Sequence, residues 1–159
     1  VSPDLEESSV AVGTFKVPAE PIRLTATLFG ALALCLHDEK RGIGGLLHLP
    51  FFGDAGRPSD VSDNTLSGVL VVLDRFKRAV LGKPTRGDEV QGRILAHALP
   101  RQAGEPSASL VDLIKADLVD GRILCGTQIF RRVEPVTVCF EPFEGRVWVA
   151  HPSGLRQRA

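Results

Sequence analysis

The sequence predicts an α+β fold, a layered sandwich with a mostly antiparallel sheet and two helices, and three observations carry that expectation. Short apolar runs, each bounded by Pro, Gly or charged turn residues, recur along the chain. Two longer segments carry apolar residues at helical spacing instead. Hairpin-like links dominate, with two helical crossovers, which favours layers over a doubly wound parallel sheet.

Taken in order, strands are expected at Val10 to Val17, Ile22 to Leu28, Ala31 to His37 and Gly42 to Leu49. Residues 51–64 (FFGDAGRPSDVSDN) read as a long loop whose Ser62 or Asp63 caps a helix. That helix aligns Leu66, Val69, Leu70, Leu73, Phe76 and Val80 on one face. Glu89 to Ala98 reads as a strand. A second helix opens at Ser107 or Ser109, turns Leu110, Leu113, Ile114 and Leu118 inward and stops at Gly121. Strands follow at Arg122 to Phe130, Val136 to Phe140 and Arg146 to Ala150. Residues 1–9 are polar and acidic and residues 152–159 polar and basic, so both are expected as flexible tails on a single domain, 10–151.

Composition narrows the function classes. With 19 basic and 19 acidic residues in 159, no cationic excess is available for nucleic-acid binding by counterion release. The apolar run from Leu28 to Leu36 is too short to span a bilayer, and no membrane insertion is expected. Three widely spaced cysteines make no disulfide framework and fit a reducing, cytoplasmic setting. The lack of an initiating methionine points to a trimmed start.

The informative stretch runs from Thr27 to Pro50, strand, turn and strand. If Asp38 to Arg41 are the turn, His37 faces Gly42 and His48 falls directly across from Ala31, with Cβ atoms roughly 5 Å apart. A cysteine at that position would complete a Cys/His dyad.

The same residues resemble the CheD-type chemoreceptor glutamine deamidases, whose core reads approximately T-x-x-L-G-S-C-V-A-V-C-L-Y-D, then G-I-G-G-x-x-H, then L-P. The matching positions are Thr25, Leu28, Ala33, Cys35, Leu36 and Asp38, then Gly42 to Gly45, His48, Leu49 and Pro50. Val10 to Val17, Asp63 and Gly145 to Val149 extend the resemblance over most of the chain. It implies a CheD-like sandwich that hydrolyses receptor glutamine to glutamate without a cofactor, acts on chemoreceptor helices and binds a CheC-type phosphatase. The family histidine falls on His48, its active-site threonine on Thr25 and its catalytic cysteine on Ala31, or on Leu32 if the glycine is matched to Gly30. Neither residue is a thiol. The family's Gly-Gly-Ala appears as Ala96, His97 and Ala98, its Ile-Gly-x-x-Asn as Pro106, Ser107 and Leu110, and its Thr-Gly-Gly as Gln128 to Arg132. Because several motif positions differ together, natural divergence explains them better than a single engineered Ala31.

Other candidates carry less. Cys35 shares a strand face with Ala31 but sits roughly 13 Å along it, beyond the reach a thiol and its base require. Cys35, His37 and Asp38 do not make a zinc site, and His97, Cys125 and Cys139 have no ligand spacing. His37 stands where the family has a tyrosine beside the turn. Arg131, Arg132 and Glu134, with Arg75, Lys77 and Arg78, read as solvated charge, and Phe51 and Phe52 as partner-binding aromatics. The leading expectation is a catalytically degenerate binding or regulatory module. Its rivals are an active deamidase whose nucleophile is mutated or misplaced, and a structural domain unrelated to chemotaxis.

Overall fold

In this computed structural model the described residues are 5–50, 58–82, 90–100, 106–151 and 156–159, and they form ten strands and two helices. In chain order these are β1 (Glu7–Ser9), β2 (Thr14–Lys16), β3 (Arg23–Leu28), β4 (Ala31–Asp38), β5 (Ile43–Pro50), α1 (Pro58–Leu81), β6 (Val90–Ala98), α2 (Pro106–Asp120), β7 (Leu124–Arg131), β8 (Val136–Glu141), β9 (Arg146–Ala150) and β10 (Arg156–Arg158). The mixed, sheet-rich class agrees with expectation, and most strand pairs are antiparallel; β1 with β3 and β6 with β7 are parallel. The single sheet does not hold. The strands divide into two five-stranded sheets, β1-β3-β8-β9-β10 and β2-β5-β4-β6-β7.

The residue pattern explains the division. Strand β4 is apolar at nearly every position because both of its faces are covered. Leu32, Leu34 and Leu36 join Val69, Leu73 and Phe76 of α1 and Leu110, Ile114 and Leu118 of α2 in one core. Ala31, Ala33 and Cys35 face the other sheet and pack with Leu24, Ala26 and Leu28 of β3 and Val136, Val138 and Phe140 of β8. Strand β3 is apolar on that one face only, since the intervening Thr25 and Thr27 point outward, and this alternation makes it an outer-sheet strand. The layers therefore run helices, inner sheet, outer sheet. Lys77 pairs with Asp117 at 2.6 Å and ties the two helices together. Among the described residues, no helix is long and apolar enough to cross a membrane.

Several boundaries differ from the sequence reading. The first expected strand is two short ones, β1 and β2, which belong to different sheets. Helix α1 starts at Pro58, so Ser62 and Asp63 lie within it rather than capping it, and α2 starts at Pro106; proline is well suited to a first helical position, where its missing N–H costs nothing. Arg122 has φ of 62° and belongs to the turn before β7. The terminal segments expected as tails each supply a paired strand: Glu7 to Ser9 aligns with Arg23 to Thr25, and Arg156 to Arg158 with Ala150 to Trp148. Phe51 and Phe52 lie outside the described residues.

The β4–β5 hairpin is shifted as well. Asp38 stays in the strand opposite Ile43, is buried, and takes the Arg41 amide on its carboxylate at 3.3 Å. Gly42, at φ of 63°, closes the turn instead of opening the next strand. Moving the loop from Asp38–Arg41 to Glu39–Gly42 changes the pairing by two residues. Every side chain keeps its face, because the period of a strand is two.

Candidate functional site

Two crossings between the sheets frame one end of the sandwich. Residues 10–13 carry the chain from β1 in the outer sheet to β2 in the inner one, and Phe29–Gly30 carry it from β3 to β4. The second crossing takes two residues, and Gly30 at φ of 60° supplies the left-handed conformation that so sharp a passage uses. Between these crossings lies a cleft of about 430 Å³, lined by Val10, Phe29, Gly30, Ala31, His48 and Pro50 among others. Phe29 and Val12 stand more than half exposed at its rim.

Ala31 and His48 share the face turned toward the outer sheet and line the same cleft, as the hairpin argument expected. Their register is corrected: His48 is directly across from Ala33, and Ala31 is across from Pro50, which makes Ala31 and His48 diagonal neighbours. Leu32 points the other way, into the helix-covered core, so it cannot stand in for the nucleophile.

His48 is held by the first crossing. Its Nδ1 donates to the Val10 carbonyl at 2.9 Å, and the Gly13 amide donates to the His48 carbonyl at 2.7 Å. With Nδ1 carrying the proton, Nε2 is the acceptor of the neutral ring. That atom is buried and has no hydrogen-bond partner in the structure. Burial lowers the His48 pKa from its ordinary value, and the bond to the Val10 carbonyl offsets part of the shift. The imidazole is thus a fixed ring with its acceptor nitrogen free, diagonal to position 31 on the same face. Here position 31 is a methyl group.

Thr25 is not part of the cleft. It lies on the outward face of β3, in register with Ser9 and Cys139. Cys35 is buried in the inter-sheet core, where loss of solvation drives its thiol pKa far up and leaves it a poor nucleophile. His37 Nδ1 donates to the Pro142 carbonyl at 2.6 Å and fastens the far end of β4 to the outer sheet. On the helix surface Arg78 pairs with Asp74 at 3.0 Å. Among the described residues no group of three potential metal ligands gathers.

The sequence reading named His97 as a changed motif position and a rejected metal ligand, and did not place it at the site. This residue lies on β6 directly across from Ala31, fully buried, and its Nδ1 accepts the Gly30 amide at 3.0 Å. The alternation of β6 fixes which face His97 takes, but no signal in the sequence says that β6 is the other neighbour of β4. The Val10 carbonyl was invisible for a simpler reason: it is a backbone group.

This geometry can be set beside known proteins. A curated protein of Sinorhizobium medicae named "Probable chemoreceptor glutamine deamidase CheD" is 32% identical over 90 residues, 56% of this chain and 49% of the relative. One of Rhizobium meliloti with the same name is 31% identical over 90 residues. A third, from Thiobacillus denitrificans, is 24% identical over 153 residues, 92% of this chain and 74% of the relative. The chain is similar to CheD-type proteins, at the higher identity over about half of its length and at the lower over most of it. It spans about half the length of the two rhizobial CheD relatives. No family model matches. A solved structure, the hypothetical protein YfiH of Bacillus licheniformis, is similar over 74% of this chain and 51% of its own, at 11% identity and a TM-score of 0.48.

Proposed function

We propose that this CheD-like domain is a catalytically degenerate relative of the glutamine deamidases, a cytoplasmic module that binds through its old active-site face and no longer hydrolyses amides. One observation carries the reading: His48 is held as a neutral acceptor with Nε2 unpaired, in a cleft that it shares with Ala31. On this reading the histidine half of a Cys/His pair is kept, diagonal to position 31 on the same face, and the half that would attack is a methyl group. Removing the nucleophile from a comparable triad costs on the order of a million-fold in turnover, so the cleft retains shape and loses chemistry.

The partner that fits this face is a chemoreceptor helix, since the relatives are named as chemoreceptor deamidases and the exposed Phe29 and Val12 offer an apolar rim. A CheC-type phosphatase is the second candidate, on the family resemblance alone. The test pairs the purified chain with a glutamine-containing receptor fragment. Calorimetry is expected to show binding that weakens about tenfold or more in Phe29→Asp, the effect of losing one well-packed aromatic anchor. Intact mass spectrometry after long incubation is expected to show glutamine unchanged. Conversion to glutamate above the fragment-only control would restore the enzyme reading.

A further inference from the structure

His97 makes two contacts that converge on one short segment. Its Nδ1 takes the Gly30 amide, and its ring stacks on Phe29 with centroids 5.2 Å apart and planes 25° apart. Phe29 and Gly30 are the crossing from β3 to β4, and with Ala31 they line one side of the cleft. The other wall is held by His48 through Val10. The two histidines hold their walls in opposite senses. His48 donates from Nδ1 to a carbonyl, whereas His97 accepts an amide at Nδ1 and, as a neutral ring, carries its proton on Nε2. His97 is wholly buried, and that Nε2 has no partner in the structure.

We propose that His97 is the positioning residue of this cleft: it fixes the Phe29–Gly30 wall and withholds the Gly30 amide, the backbone donor next to position 31, from any ligand in the cleft. An amide at such a place is the kind of group that would hold a carbonyl or carboxylate oxygen. In this chain an internal imidazole occupies it. The divergence of the site then has two parts, a missing attacking group and a masked donor, and the second leads to the expectation that replacing Ala31 alone will not rebuild a deamidase.

The inference rests on reading the cleft as the binding face, and the two fail differently. Receptor-fragment binding lost with Gly30 still protected overturns the binding reading, whereas an unprotected Gly30 overturns this one. Nitrogen-15 NMR of the labelled wild-type chain is expected to show His97 as the Nε2–H tautomer, His48 as the Nδ1–H tautomer, and a scalar coupling across the bond from the Gly30 amide to His97 Nδ1. Two variants separate acceptor from ring. H97N offers an amide oxygen where Nδ1 was and loses the ring; H97F keeps the ring and loses the acceptor. Gly30 amide exchange is expected to rise about tenfold in H97F, the worth of one hydrogen bond, and to stay near the wild-type rate in H97N. With acetate as an oxyanion probe, the Gly30 amide should shift in H97A, which vacates the space over it, and not in the wild type. An Nδ1–H tautomer at His97, unchanged Gly30 exchange in H97F, or an equal acetate response in the wild type would each overturn the proposal. The tautomer and coupling decide it even if H97F or H97A fails to fold.

Discussion

At one end of β4, His37 donates to the Pro142 carbonyl and packs so tightly on the β8–β9 turn that a Cβ on Gly145 would fall 2.5 Å from its ring. The space left there is about 50 Å³. At the other end, His48 and His97 each bond through Nδ1 and leave a buried Nε2 unpaired, and the cleft beside His48 is about 430 Å³. Both ends use histidine to join strands in the same inter-sheet space, and they differ in what is left over. Where the volume is consumed, the histidine is structural. Where volume remains, the fold keeps a buried, unpaired acceptor beside a cleft at some cost in stability, because buried polar atoms are usually satisfied.

The comparison breaks most visibly at Gly145. With φ of 73°, alanine there meets both left-handed backbone strain and the His37 ring. Gly145→Ala is expected to destabilise the chain by about 2–4 kcal/mol in urea unfolding, the sum of a left-handed penalty and overpacking. The folded remainder should still bind the receptor fragment. A loss below about 0.5 kcal/mol would mean that this end is looser than its contacts imply.

A smaller effect is expected from His37→Ala, about 1–2 kcal/mol for one partly buried hydrogen bond, again without change in fragment binding. Weaker fragment binding in this variant would show that the two ends are coupled.

The His48 end should sharpen the contrast through pH. Its pKa is lowered on folding, so between that folded value and the ordinary one of 6.5 the unfolded chain binds more protons. The neutral form is fully favoured above 6.5, and stability falls as the pH drops below it. His48→Gln removes this component. Unfolding at pH 7.5 and 5.5 should therefore cost the wild type more stability on acidification than the variant, and equal losses would contradict the burial assigned to His48. Thiols give the smallest signal. In the folded wild type, Cys35 should resist iodoacetamide near neutral pH, because burial suppresses its thiolate. The A31C chain should gain label at the cleft without gaining glutamine turnover.

How much of this was legible in the sequence depends on the kind of interaction. Helix faces and strand alternation were readable because they are local, and β4 was already apolar on both faces. The shared face of Ala31 and His48 survived a misplaced turn because parity is preserved when a hairpin shifts by two residues. The assignment of strands to two sheets was not readable, since β1 and β2 follow each other in sequence and pair in different sheets. Thr25 matched a motif, yet the alternation of β3 turns it outward, away from the cleft. His97 and the Val10 carbonyl reach the site only through tertiary pairing, which no local pattern encodes.

The central claim is that the end of the sandwich holding Ala31 and His48 is a binding face without hydrolytic chemistry. Amide chemical-shift mapping of a receptor-helix fragment on the nitrogen-15-labelled chain tests it most directly. The account predicts shifts concentrated at Val10, Val12, Phe29 and Ala31, with Gly145 and its neighbours unmoved. Shifts centred on the Gly145 end, or none at saturating fragment, would contradict it.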